Sequence, residues 1–170
     1  MENNVHQIHV CHKSHARGVN ERGFEAWKGF IESCIAWDVT EEKEIARLRE
    51  ETAYIQRFDL AEYFWFLYTT CRALQYNGGG FLQQGATDFY SLYYLGVIQQ
   101  NPLHAPFEGK LLQNGIPKSV FCVPKGRRDW LVEYLQKAYG AEVVTSGQKC
   151  ETTCLSGEVV AVEIVEKEDF

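Results

Sequence analysis

One feature of this sequence whose residue types could bind a ligand is a glycine-rich turn. Three consecutive glycines at positions 78 to 80 are followed by Gly85, which precedes a run with helical spacing. Because glycine has no Cβ, Gly79 and Gly80 can adopt positive φ and bring the backbone close to a ligand. The N–H groups and dipole at a helix start favour an anion near Gly85. The turn therefore predicts a phosphate site, with a helix C-cap followed by a loop as the alternative.

A second candidate for chemistry is a set of histidines and cysteines near the two ends of the chain. Four of the five histidines lie within ten positions, at residues 6, 9, 12 and 15. Histidine nitrogen and cysteine sulfur are donors that zinc takes, so His9 and His12 could bind zinc if the chain ends meet. The two remaining ligands would be Cys150 and Cys154. The spacing fits no zinc-finger pattern, and a polar terminal segment is the alternative.

The spacing of apolar residues predicts the elements that must position these groups. Steps of three and four residues predict helices over residues 24–35, 40–55, 60–76 and 86–98. Thr40 is the expected N-cap of the second helix, because acidic residues follow it in the first turn. The aromatic residues of the third helix are expected in the core.

Beyond Gly115 the pattern changes to short β-rich segments with one further helix. In chain order we predict a strand, a helix, a strand and a strand over residues 119–123, 127–139, 142–145 and 158–165. Gly140 is expected to end the helix, and residues 5–10 are compatible with a strand or with a terminal loop. This order predicts an α+β fold in which helices pack on a small mixed β-sheet.

Size and charge limit the functions open to the chain. With 170 residues and 45% hydrophobic content, we expect one domain over residues 21–170, after a histidine-rich segment over residues 1–20. The 23 acidic and 17 basic residues give a net charge of −6, which favours a protein partner over nucleic acid. The absence of a run of 18 apolar residues, and of an apolar N-terminal segment, predicts a cytoplasmic protein with no membrane partner. Its six cysteines are then expected to be reduced.

Four segments of the chain are similar, in the same order, to motifs of one known family. They are YFWFL at residues 63–67, QGA at 84–86, LGVIQQNPL at 95–103 and IPKSVFCVPKGRRDWLVEYLQKAYG at 116–140. The family motifs are YFLIV, GRGS, LGITDVNPL and IPDIDIDFPDDRRDEVIEYVREKYG. They belong to the palm region of the bacterial replicative DNA polymerase III alpha subunit, a C-family polymerase. The resemblance covers residues 45–147 and implies a polymerase-palm or nucleotidyltransferase-like fold.

The resemblance also implies that the catalytic metal site has been lost. Val120 and Cys122 stand where the family has its two metal-binding aspartates. Valine cannot ligate a metal, and a thiolate is too soft for the magnesium ions of phosphoryl transfer. Gln84 and Ala86 replace the arginine and serine of the phosphate loop. No segment matches the family's third carboxylate or its fingers and thumb, so we expect a palm without its chemistry.

Acidic residues elsewhere could form a relocated metal site. The candidates are Asp88, Glu108, Asp129 and Glu133. First-turn or surface charges are the alternative interpretation of all four. Four basic residues, Lys118, Lys125, Arg127 and Arg128, could still bind an anion, because the arginine guanidinium suits phosphate. The alternative is that they form a solvated basic rim. The remnant phosphate or nucleotide site would consist of Gly79, Gly80, Gly85, Lys125, Arg127 and Arg128.

Three functions follow from these observations. The first is a non-catalytic protein-interaction module derived from or mimicking a C-family palm, such as a phage or mobile-element accessory or inhibitor of host replication or defence machinery. The second is a minimal nucleotide-binding or nucleotidyltransferase protein with a relocated metal site. The third is a zinc-stabilised interaction domain. We expect no catalytic residue, no magnesium and, unless the zinc site forms, no cofactor.

Overall fold

A computed structural model describes five parts of the chain, two of them, 6–9 and 142–144, by their backbone alone. The described residues are 6–9, 23–111, 116–140, 142–144 and 160–170. They form an α+β structure in which helices pack on one small mixed β-sheet, as the sequence predicts. None of the helices in these ranges is long and apolar enough to cross a membrane.

The helices begin and end close to their predicted limits, with one exception. They are α1 at Phe24–Trp37, α2 at Glu42–Arg57, α3 at Ala61–Tyr76, α4 at Tyr90–Tyr94 and α5 at Arg128–Tyr139, with a 3₁₀ turn at Pro102–His104. Gly140 ends α5 in the left-handed conformation, as expected. The predicted N-cap of α2 is wrong, because Glu41 and not Thr40 precedes its first turn. No side chain caps α2, and its first-turn glutamates offset the helix dipole.

The fourth predicted helix, over residues 86–98, is the exception. Only five of these residues are helical. The helix stops because Gly96 takes φ +78° and the following carbonyl, of Val97, accepts a hydrogen bond from Leu82 N at 2.8 Å. Leu82 belongs to a strand that the sequence analysis missed, where we expected the glycine turn to lead directly into the helix.

The sheet has five strands. They are β1 at His6–His9, β2 at Phe81–Gln84, β3 at Ser119–Pro124, β4 at Glu142–Val144 and β5 at Ala161–Lys167. Their order across the sheet is β2-β3-β5-β1-β4. The β3–β5 pair is parallel and the other pairs are antiparallel. Strand β1 therefore places part of the predicted histidine-rich segment between β5 and β4.

Helix α3 covers one face of β3. Phe66 on α3 contacts Phe121 edge to face at 6.1 Å, and Tyr63 Oη lies 2.8 Å from Ser119 Oγ. Since side chains alternate along a strand, Val120 and Cys122, each of which follows one of these β3 residues, point to the opposite face of the sheet.

An aromatic cluster joins the helices above the sheet. Trp27 packs against Phe64 and Trp65 with ring centroids 5.6 and 5.1 Å apart, and Phe64 packs against Phe89 at 4.7 Å. Trp27, Phe64 and Phe89 have no exposed surface. Edge-to-face aromatic pairs add to the free energy of burial, so this cluster anchors α1, α3 and the segment before α4 to one another.

Candidate functional site

The two positions that the resemblance pairs with metal-binding aspartates lie two residues apart on β3. Val120 is 4% exposed and Cys122 is fully buried. Burial raises the pKa of the Cys122 thiol, which keeps it protonated at neutral pH. Neither side chain offers an oxygen ligand for magnesium.

The neighbouring strand supplies one carboxylate at this place. The parallel register of β3 and β5 pairs Val120 with Glu163. Lys118 Nζ lies 2.5 Å from Glu163 Oε2, so the carboxylate forms an ion pair within the chain. The sequence did not single out Glu163, because only the register of β5 places it beside Val120.

No group of three or more potential metal ligands exists among the side chains that the structure describes. The acids considered for a relocated site form no such group. Glu133 binds Lys137, and Glu108 binds Lys110. Burial raises the pKa of Asp88 near the start of α4, and the charge of the nearby Glu108 carboxylate raises it as well. Asp129 lies in the first turn of α5, where a carboxylate stabilises the helix dipole.

The predicted zinc site lies largely outside the described residues. His12, Cys150 and Cys154 belong to ranges that the structure does not describe. The backbone of His9 is in β1, where it pairs with Ala161 of β5 and Glu142 of β4. The zinc site therefore stays a prediction.

The glycine turn packs against the chain's own side chains. Gly78 and Gly79 have φ values of +104° and +101°. A Cβ on Gly78 would lie 3.0 Å from Arg127 Nε, and one on Gly79 would lie 2.9 Å from the ring of Phe170. A Cβ on Gly80 would lie 2.6 Å from Leu74 Cδ1. These glycines allow a close approach, but the groups that approach are side chains of this protein.

Gly85 also packs closely against other atoms of this protein. Its φ is +128°, and a Cβ there would lie 3.3 Å from Tyr63 Oη and 3.6 Å from the carbonyl oxygen of Lys118. Gly85 thus lets the backbone after β2 pass the Tyr63–Ser119 hydrogen bond. Gly80 and Gly85 flank the four residues of β2, about 13 Å of extended chain, so the structure separates the two halves of the predicted phosphate site.

The N–H groups at the start of α4 already bind an anion, which is the carboxylate of Glu51. Tyr90 N donates to Glu51 Oε2 at 2.6 Å, and Ser91 N donates to Oε1 at 2.8 Å. Glu51 lies on α2 and has no exposed surface. Both carboxylate oxygens are thus bound where the sequence predicts a phosphate.

Arg47 completes this buried group. Its Nε donates to Glu51 Oε2 at 2.8 Å, its Nη1 to the carbonyl of Ala105 at 2.8 Å, and its Nη2 to the carbonyl of Asp88 at 2.9 Å. Burial raises the pKa of Glu51, and the hydrogen bonds from Ser91, Arg47 and Tyr90 oppose that increase. The sequence signal was an Arg and a Glu four residues apart on a predicted helix, a spacing that also suits an ordinary surface pair.

The three basic residues of the predicted remnant site have different surroundings, and one of them lies against the glycine turn. Lys125 Nζ binds Glu168 at 2.7 Å, and Arg128 Nη1 lies 3.8 Å from Glu166 Oε1. Arg127 is exposed beside Gly78 and forms no ion pair within the described part of the chain. The structure therefore brings Arg127 to the turn. Lys125 and Arg128 instead lie beside carboxylates near the end of β5.

An open cleft of about 310 Å³ runs along β2 beside this region. Its lining is mostly polar and includes Gln83, Gln99, Gln100, Thr87 and Lys167. Gln83 is the extra residue of a β-bulge between β2 and β3, and such bulges redirect side chains. The cleft contains no carboxylate among its lining residues.

Comparison with known proteins identifies no relative. No protein-family model matches the chain, and the search of curated proteins found no similar sequence.

Proposed function

We propose that this protein is a non-catalytic, palm-like module that acts by contact with another protein. The proposal rests on the side chains of β3, which lack metal ligands at two positions. The two positions that would hold magnesium in a C-family palm are buried Val120 and Cys122. The one carboxylate paired with them in register, Glu163, is neutralised by Lys118. A chain with this strand can keep a palm architecture without its phosphoryl-transfer chemistry.

The placement of the four similar segments supports the palm part of the proposal. The first lies on α3, the second at the end of β2, the third after α4, and the fourth runs through β3 into α5. Glu163 lies beside Val120 on the neighbouring strand β5. The resemblance is thus compatible with the arrangement of elements.

The internal ligands support the non-catalytic part. Glu51 occupies the amides at the start of α4, which would face a phosphate in a working site. A nucleotide would have to displace a buried carboxylate that is held by Arg47 as well. The net charge of −6 further disfavours nucleic acid. A cytoplasmic protein of this kind could act as a phage or mobile-element accessory or inhibitor that occupies a surface of host replication or defence proteins.

A rebuilt metal site tests the palm arrangement. The double variant Val120→Asp, Cys122→Asp would place two carboxylates next to Glu163, and manganese binding is measured by calorimetry. The wild type is expected to bind no manganese, whereas the double aspartate variant gains binding. The matched control is Val120→Asn, Cys122→Asn, which has nearly the same shape without the charge and should bind none.

Circular dichroism must first show that both double variants fold, because buried polar groups cost stability. A folded aspartate variant that binds manganese no better than the asparagine variant would contradict the palm-like arrangement. The contact function is tested separately by immobilising the wild type and recovering partners from a bacterial lysate. Failure to recover any protein in stoichiometric yield would count against it.

A second candidate is a minimal nucleotide-binding protein, and one observation favours it. Arg127 is exposed beside the glycine turn without an ion pair in the described residues, so its guanidinium could meet a phosphate. This candidate requires nucleotide affinity that depends on magnesium and falls on Arg127→Ala and on Arg128→Ala. Unchanged affinity in both variants would remove it.

A further inference from the structure

One tryptophan on the surface is not explained by the packing of the core. Trp37, the last residue of α1, is 90% exposed, whereas Trp27 on the same helix is fully buried. Tryptophan buries more apolar surface than other side chains and is enriched at the centre of protein interfaces. Its exposure at the end of α1 marks a place where a partner could cover it.

A tyrosine of α4 contacts the end of α1. The residue after Trp37 is Asp38, and Tyr94 Oη donates a hydrogen bond to Asp38 Oδ2 at 2.7 Å. Tyr93, the residue before Tyr94, is 37% exposed. The hydrogen bond thus joins the end of α1, where Trp37 is exposed, to the part of α4 where Tyr93 is exposed.

The same part of the surface is acidic. Residues 38–44 contain four acidic residues and one lysine. Within the described part of the chain, none of these four carboxylates forms an ion pair. The Glu44 carboxylate is hydrogen-bonded to the Tyr90 phenol, and burial, followed by this hydrogen bond, raises the pKa of Tyr90. We call Trp37, Asp38, Glu44, Tyr93 and Tyr94 the aromatic-acidic patch.

We propose that the aromatic-acidic patch binds a positively charged segment of a protein, with an arginine or lysine side chain over the Trp37 indole and its charge paired with Asp38 and Glu44. A cation is attracted by the face of an aromatic ring, most strongly by that of tryptophan. Carboxylates beside the ring add charge complementarity, and the net charge of −6 accelerates the approach of a basic partner. The proposal rests on the contact function above and specifies the chemistry of its partner.

A second exposed aromatic residue shows why the charge matters. Tyr76 at the end of α3 is 76% exposed, but its neighbour is a cation. Arg72 Nη2 lies 3.4 Å from Tyr76 Oη, and the guanidinium carbon lies 5.6 Å from the ring centroid. A basic partner is repelled there, so Tyr76 serves as an exposed aromatic control.

The test uses a short fluorescent peptide of alternating arginine and glycine, with fluorescence anisotropy measured at low ionic strength. The comparison peptide carries citrulline in place of arginine and so keeps the shape without the charge. The wild type is expected to bind the arginine peptide, more weakly as salt is added, and to bind the citrulline peptide at least roughly fivefold more weakly.

Matched variants locate the binding. Trp37→Ala is expected to weaken binding roughly three- to tenfold, and Glu44→Gln roughly two- to threefold. Glu42→Gln removes the same charge from the same turn, but residues two apart on a helix do not share a face, so its effect should stay within about twofold. Tyr76→Ala should be equally mild.

Equal binding of the two peptides, or equal losses in Trp37→Ala and Tyr76→Ala, would overturn the proposal. Absence of binding to the arginine peptide would also overturn it, while leaving the contact function open to a partner of other chemistry. The contact function fails independently, if the protein proves to bind nucleotide with magnesium and no protein partner is recovered.

Discussion

The starts of α4 and α5 are two places where backbone N–H groups could bind an anion, and the chain treats them differently. At α4 the amides of Tyr90 and Ser91 are buried and bound by Glu51. At α5 the preceding Arg127 is exposed, and no side chain caps the helix. One start is filled from within the chain, and the other faces the surface among basic residues.

The comparison distinguishes charged side chains that stabilise the fold from charged side chains that could bind a ligand. Glu51 and Arg47 tie α2 to the residues before α4 and to the turn at Ala105, so their charges hold the fold together. Before α5, Lys125 and Arg127 are exposed, and the Lys125–Glu168 ion pair lies on the surface, where such pairs contribute little to stability. Substitutions should therefore affect stability strongly at the first place and weakly at the second.

The largest effect is expected for Glu51→Ala. It leaves the Arg47 guanidinium buried without its carboxylate and two amides without an acceptor, which should lower the free energy of unfolding by about 3–5 kcal/mol. Chemical denaturation measures the change. The exposed pair of Arg49 and Glu32, 3.3 Å apart, supplies the control, because Glu32→Ala should cost no more than about 1 kcal/mol.

The double variant Arg47→Met, Glu51→Met sharpens this comparison. Replacing a buried ion pair by apolar residues is often neutral, but here the amides of α4 would still lose their acceptor. We expect a remaining loss of about 1–3 kcal/mol. A double variant as stable as the wild type would show that Glu51 serves Arg47 alone.

A glycine substitution should have an intermediate effect. Gly85→Ala puts a side chain at φ +128° and 3.3 Å from Tyr63 Oη, which should cost about 1–2 kcal/mol. Gly29→Ala is the control, since a Cβ there meets nothing within 4 Å and the residue lies inside α1. Alanine should stabilise that helix by about 0.5–1 kcal/mol. Equal losses of stability in thermal unfolding of the two variants would contradict the packing role of Gly85.

The smallest effect is expected at the surface. Lys125→Ala removes an ion pair whose side chains are 68% and 71% exposed, so the midpoint of unfolding should hardly change. The measurement is again chemical denaturation. A loss as large as that of Glu51→Ala would mean that the basic segment is as structural as the buried pair.

Local patterns in the sequence were sufficient for most elements. Helices α1, α3 and α5 and strand β3 have periodic apolar residues, and Gly140 marks the end of α5. Strand β2 was missed because its pairing with β3 and its hydrogen bond to Val97 are contacts between distant residues. The same contacts shorten α4, whose predicted helix continued through Gly96.

The candidate site was harder to predict than the fold. The glycines predict close backbone approach, but the sequence does not say whether a ligand or a side chain such as that of Phe170 comes close. Glu51 resembles an ordinary member of a surface pair until α4 is placed against α2. Glu163 becomes a neighbour of Val120 only through the register of β5.

The central claim is that the positions a palm uses for phosphate and metal are filled by the chain itself. Its most direct test is calorimetric titration of the wild-type protein with a deoxynucleoside triphosphate, with and without magnesium. We expect no saturable heat in either condition, which means no affinity tighter than about 1 mM. Saturable binding that requires magnesium would contradict the claim and would direct attention to Asp88 as a relocated ligand.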